Sequence, residues 1–226
     1  MNNMSIAMGK RQLVDSIWKS AGIEGLGTTF HNTEKILSNL PVQTRRDEVL
    51  FIINMKRAWY FLFDNIEYPN NISYLQELNK ICMEELSYDA GNVRTAPVTI
   101  GGTSWVPELP QEGIIIDKLD EIAAMDDRLE AALEMFCYVA RTQVFLDGNK
   151  RVAQLMCNKI MMEDDIGIFS IPYNEIDRFK ELLVDFYETN SSDKIKDFFR
   201  KKCLLLNPGY VQSHKSESKC SKIESF

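Results

Sequence analysis

Histidine is nearly missing from this chain: its 226 residues contain two, His31 and His214. They lie far from each other and from most cysteines, so a zinc centre built from imidazole and thiolate has too few ligands. Cysteine is sparse as well. Cys82, Cys137, Cys157, Cys203 and Cys220 are odd in number, scattered, and never spaced C-x-x-C, which leaves buried free thiols as the expectation. Long apolar runs are absent: no stretch approaches the roughly 20 residues that a bilayer crossing requires. The opening MNNMSIAMGKRQ lacks the basic-then-apolar order of a secretory signal. A cytoplasmic protein with no membrane partner is expected. Positive charge is in deficit, 26 Lys and Arg against 33 Asp and Glu for a formal net charge of −7. With no basic stripe to offset that balance, nucleic acid is not an expected partner. No fixed-period repeat is present, so a solenoid is not expected either.

What the chain does have is helical patterning. A length of 226 residues with 45% apolar and 26% charged content suits one soluble core. In DRLEAALEMFCYVA the residues Leu129, Ala132, Leu133, Phe136 and Ala140 recur at three- and four-residue steps. Val152, Leu155, Met156 and Ile160 do the same in NKRVAQLMCNKIMM, so each segment presents one apolar stripe. DEVLFIINMKRAWYFLFDNI and ISYLQELNKICMEEL read as further core helices around the turn-rich EYPNN. SIPYNEIDRFKELLVDFYET and SSDKIKDFFRKKCLLL add two more, with serine and aspartate cap signals. GNVRTAPVTIGGTSWVPELP differs: Val98 and Ile100 alternate with polar neighbours before Gly101 and Gly102, the pattern of a small hairpin whose prolines limit its strands. The final segment is polar and serine-rich, and a mobile tail is expected there.

Between two of these helices lies the bend QVFLDGNKR, residues 143–151. A helix amino terminus exposes unpaired N–H groups and partial positive charge, so Gly148 and Asn149 would open an anion site to which Lys150 and Arg151 add charge. Asp147 is placed to hold magnesium against phosphate oxygens. The same residues also suit a plain turn that ends one helix and caps the next. Both readings follow from the residues alone.

The bend resembles the signature of the Fic family, H-x-F-x-[DE]-G-N-[GK]-R, through Phe145, Asp147, Gly148, Asn149, Lys150 and Arg151. GNVRTAPVTIGG is similar to that family's flap through Arg94, Val98, Ile100, Gly101 and Gly102, and SAGIEG to its inhibitory pattern [ST]-x-x-x-E-[GN] through Ser20, Glu24 and Gly25. The three motifs run in the order expected when the inhibitory helix comes first, over roughly residues 16–206. The resemblance implies a mainly α Fic-type bundle with a β-hairpin flap over a nucleotide pocket, and three regions: 1–40 with the inhibitory-type helix, 41–206 as core, 207–226 as tail. It implies AMP transfer from ATP to a hydroxyl of a target protein docked along the flap, with magnesium as cofactor. On that resemblance Asp147 would hold the metal, residues 148–150 would cradle phosphates, Asn149 would fix the α-phosphate and Arg151 would neutralise developing charge. A homodimer is compatible with it, though nothing in the sequence compels one.

Two positions depart from the family pattern. Gln143 stands where the family has its histidine base, and an amide cannot take a proton at neutral pH. Gln154 stands where many members carry a second arginine for the γ-phosphate, and offers hydrogen bonds without charge. Two functions are therefore expected to compete: a slow adenylyltransferase restrained by Glu24, or a degenerate Fic domain that binds nucleotide as a regulatory or interaction module. His31, just past the inhibitory helix, is expected on the surface rather than as a replacement base.

Overall fold

The computed structural model describes residues 3–213. Its helices are α1 (Met4–Arg11), α2 (Leu13–Ile23), α3 (Phe30–Leu37), α4 (Arg46–Asp64), α5 (Ile72–Met83), α6 (Glu112–Ala123), α7 (Arg128–Thr142), α8 (Asn149–Glu163), α9 (Ile176–Thr189) and α10 (Asp193–Phe198). Strands β1 (Gly167–Phe169) and β2 (Leu204–Leu206) pair antiparallel, with Ile168 opposite Leu205. The mainly helical class expected from the periodicity is what forms. Side-chain caps set several starts: Asn3, Thr29, Asn71 and Asp127 each accept an N–H from the first turn of α1, α3, α5 and α7.

Helix α8 is the axis of the fold. Sequence periodicity gives it a single apolar stripe, yet it is buried on every side, packed by α7 most extensively and also by α5, α4, α1 and β1. Its polar residues survive burial because each finds a partner. Asn158 exchanges two hydrogen bonds with the backbone of Phe169 in β1, at 2.9 and 2.8 Å. The Lys159 ammonium donates to Ile66 O at 2.9 Å and to Glu163 at 3.2 Å. Hydrogen bonding thus replaces amphipathicity as the reason this helix tolerates polar residues inside.

The small sheet is not the expected flap hairpin, since its strands come from other parts of the chain. Residues 93–107, where a hairpin was expected, run as an irregular extended loop with a turn at Gly101 and Gly102. Pro97 and Pro107 have no N–H to give a ladder, and the buried Arg94 guanidinium takes the carbonyls of Ala96, Pro107 and Glu108. One side chain therefore ties together the two arms that strand pairing would have joined.

The expected free thiols are found: Cys82, Cys137, Cys157 and Cys203 are buried and unbonded to one another. Burial pushes the thiols of Cys82 and Cys137 up to about 12. His31 is exposed, 3.8 Å from Glu34 on its own helix. Within the expected tail, residues 207–213 are described: Asn207 is buried, donating to Ile166 O and Asp165 O. His214, Cys220 and the rest of that tail lie outside the described residues.

Candidate nucleotide site

The bend opens with Gln143, which ends α7 in the left-handed conformation at φ +50°. From there its side chain folds back: Nε2 donates to Ala140 O at 2.6 Å and to the Tyr187 hydroxyl at 3.5 Å, while Oε1 accepts from Asn149 at 3.1 Å. Asn149, nearly fully buried, also accepts from Phe145 N at 2.9 Å and donates to Phe145 O at 2.8 Å. The two amides therefore lace the bend to the start of α8. Phe145 is buried and so anchors the bend in the core.

Gly148 begins α8 at φ +83°, and a Cβ there would meet Asn79 Nδ2 and Met83 Sδ at 2.9 Å. Only glycine satisfies both the conformation and the space. No side chain caps this helix end, so its first N–H groups have no side-chain acceptor and carry the positive end of the helix dipole. Asn79, a residue no motif flags, holds the bend from below by donating to Asp147 O at 2.8 Å and accepting from Gly91 N at 2.8 Å. Arg94 holds it from the flap side, donating to Gln143 O at 2.5 Å. Both bonds go to main-chain atoms, which is why side-chain identity in the bend gives no clue to them.

Charge converges at the start of α8. Glu24, the C-cap of α2 just before Gly25 turns the chain at φ +76°, reaches Lys150 at 3.1 Å and lies 3.8 Å from Arg151 Nε. Arg151 is buried, its guanidinium 5.4 Å from the Phe51 ring centroid and 3.0 Å from Asp147. Gln154 is not part of this cluster. Its Oε1 accepts from Ser20 at 2.9 Å and its Nε2 donates to Lys150 O at 3.1 Å, within a small void under α2. So Ser20 and Glu24, one helical turn apart, contact different partners on α8.

Above lies a cleft of about 210 Å³ lined by Glu24, Val98, Ile100, Gly101, Gln143, Asp147, Lys150 and Tyr187, among others. The flap residues expected to dock a target thus form one wall, and Gly102 makes the turn beside them. The cleft is smaller than the roughly 300 Å³ at which small-molecule pockets begin, and Glu24 is part of its lining. Tyr187 lines the cleft with its ring stacked on that of Trp105, 5.4 Å away. Burial first, and the Glu24 charge second, push its phenol above the ordinary range, so it stays protonated. It is a hydrogen-bond partner for Gln143 rather than a base.

Among the described residues no group of three or more His, Cys, Asp and Glu could hold a metal. Asp147 is exposed and commits Oδ1 to Gly148 N and Arg151. Its other oxygen fits the way magnesium is usually held, by one carboxylate, waters and substrate oxygens.

Comparison with known proteins agrees with this geometry. Residues 69–161 match the profile of the Fic/DOC family. Among solved structures, a substituted form of Fic-1 from C. elegans superimposes with a TM-score of 0.69 at 22% identity, covering 96% of this chain and 64% of that one. A Fic family protein from Desulfovibrio desulfuricans gives 0.69 at 16% identity, over 81% of this chain and 59% of that one. A Fic domain containing signaling protein from Bacteroides thetaiotaomicron gives 0.67 at 18% identity, over 78% and 72%. The chain thus spans less than two thirds of the length of the first two. Comparison with curated proteins gave no match. The Fic resemblance and the helical fold it implies are both borne out.

Proposed function

We propose that this chain is a Fic-type nucleotide-binding protein resembling the protein adenylyltransferases, restrained by Glu24 and slow or silent in transfer because Gln143 occupies the base position. The observation that carries the reading is the Glu24 carboxylate lodged against Lys150 and Arg151 at the uncapped start of α8. Carboxylate and phosphate compete for the same donors. Ligand entry requires the Glu24 side chain to swing away while α2 stays, since Ile17, Ala21 and Ile23 of α2 are buried in the core. The phosphates of ATP would then meet Lys150, Arg151 and the first N–H groups of α8. Magnesium, held through Asp147, would neutralise phosphate charge. A target segment would lie along Val98–Gly102, its hydroxyl turned toward the bend.

Gln143 limits the chemistry. An amide cannot accept the hydroxyl proton, and loss of general-base assistance costs about two to four orders of magnitude in rate. The second reading, a nucleotide-binding module without transfer, is favoured by the lacing of Gln143 and Asn149 to each other and to the bend's own backbone.

The test is nucleotide binding and incorporation of labelled AMP into protein by wild type, Glu24→Gly, and Glu24→Gly with Gln143→His. Histidine tolerates the left-handed conformation of this position better than most residues. Expected is tighter ATP binding once Glu24 is gone, and transfer about 100-fold above the Glu24→Gly level once the base is restored. Binding without transfer in the double variant supports the module. No binding in any variant refutes both readings.

A further inference from the structure

We infer that the groove between α6, α7 and the segment 105–111, which leads from the flap into α6, is a second ligand site, built for a small amphipathic carboxylate. It holds about 590 Å³, within the range of small-molecule pockets. It shares no lining residue with the candidate nucleotide cleft, so it is a separate site. Trp105, Val106, Leu109, Ile114 and Phe186 give it apolar walls. Val106, Leu109 and Ile114 are more than half exposed although apolar, a rim that the apolar body of a ligand would cover.

Arg141, in the last turn of α7, supplies the charge. Its guanidinium lies 4.4 Å from the Trp105 ring centroid and 5.9 Å from that of Phe186, so two aromatic rings hold it in place. Nη2 donates to Tyr187 O at 3.2 Å, and Nε is buried without an acceptor. A guanidinium carries five N–H donors in a rigid fork whose best partner is a carboxylate. Among the described residues no carboxylate pairs with Arg141, and burial alone pulls its pKa below the ordinary range, a cost that a bound carboxylate would offset. One turn earlier on α7 the Tyr138 hydroxyl feels Thr142 but makes no hydrogen bond of ordinary geometry, and Tyr138 lines the same groove. Two unsatisfied donors one turn apart beside apolar walls suit two oxygens on an apolar body, the chemistry of an aryl or branched alkyl carboxylate. The other charges of the lining do not fill that role. Lys118 is committed to Glu121 at 2.8 Å and to Glu134 at 3.6 Å, Glu134 also pairs with Lys196, and Glu108 is exposed at the rim. One available cation matches a singly charged carboxylate better than a phosphate dianion.

The test titrates the full chain with naphthylacetate and with its uncharged isostere naphthylacetamide, followed by NMR through the indole N–H signal of Trp105. The chain has three tryptophans, and the Trp105→Phe protein identifies the signal by its loss. Both compounds are expected to move it, the acid binding about tenfold more tightly than the amide. In Arg141→Gln that preference is expected to vanish. Glu108→Gln, which removes charge from an exposed side chain at the rim, is expected to tighten the acid about twofold and leave the amide as it was. Amide binding as tight as that of the acid, or a Trp105 signal that neither compound moves, overturns the inference. So does a preference that survives Arg141→Gln and disappears in Lys150→Ala, which would locate the acid in the nucleotide cleft. The comparison of acid with amide and the Glu108 variant change no buried residue, so they stand even if the Arg141 variant does not fold.

Discussion

Replacing Asn149 with alanine separates two roles that the family signature merges. If this residue serves only to touch a ligand, its loss leaves the empty protein as stable as before. The structure gives it a different task in the unliganded state. Its side chain accepts from Phe145 N, donates to Phe145 O and donates to Gln143 Oε1, at 2.9, 2.8 and 3.1 Å, and it is 4% exposed. A buried hydrogen bond contributes about 1 kcal/mol, and a buried backbone group left unpaired costs about 1–3 kcal/mol. With the Gln143 bond partly replaceable by water, the expected loss is about 3 kcal/mol. For a chain of this size that lowers the melting temperature by about 6–12 °C. Urea unfolding of the Asn149→Ala protein without nucleotide measures it. A change below about 0.5 kcal/mol refutes the bracing argument and returns Asn149 to a purely ligand-facing role.

Four other outcomes follow from the same geometry. Gly148→Ala imposes both a left-handed backbone on a side-chain-bearing residue and a Cβ 2.9 Å from Asn79 and Met83, so it is expected to cost about 2–4 kcal/mol in urea unfolding. Asn79→Ala removes the bonds to Asp147 O and Gly91 N. It should cost about 2 kcal/mol and weaken nucleotide binding although Asn79 lies outside the motif, as paired melts and calorimetry would detect. Tyr173→Ala removes a ring stacked at 4.2 Å on Trp18 of α2, and is expected to cost about 1 kcal/mol in urea unfolding while leaving nucleotide binding unchanged, since Glu24 departs by its side chain alone. Stability should hold up to about pH 9 and fall between about 9 and 12. The unfolded chain ionises its thiols near 9, whereas burial raises Cys82 and Cys137 to about 12 in the fold, so over that window the unfolded state binds fewer protons. Urea midpoints unchanged from pH 8 to 11 would contradict this sign.

Much of the candidate site is legible in the sequence. The D-G-N-K-R bend, the V-T-I-G-G segment and the S-A-G-I-E-G helix end stand out through their resemblance to the Fic motifs, and all three meet at one cleft. The expected hairpin does not form. Apolar alternation at Val98 and Ile100 signals strand, but Arg94 captures the carbonyls that a ladder would use. That competition depends on residues more than ten positions apart and leaves no local mark.

The helices and the order of motifs were determined by the sequence alone, since periodicity and turn chemistry act within a few residues and need no distant partner. Tertiary structure decided the rest: that α8 is buried on all sides, that Asn79 supports the bend, that Glu24 lies on Lys150 and Arg151 while Gln154 turns to Ser20. These depend on where one helix end meets another across the core. Hydrogen bonds and charge pairs between residues some 130 positions apart are chosen by packing, and no pattern along the chain encodes which of two neighbouring side chains will face the cleft.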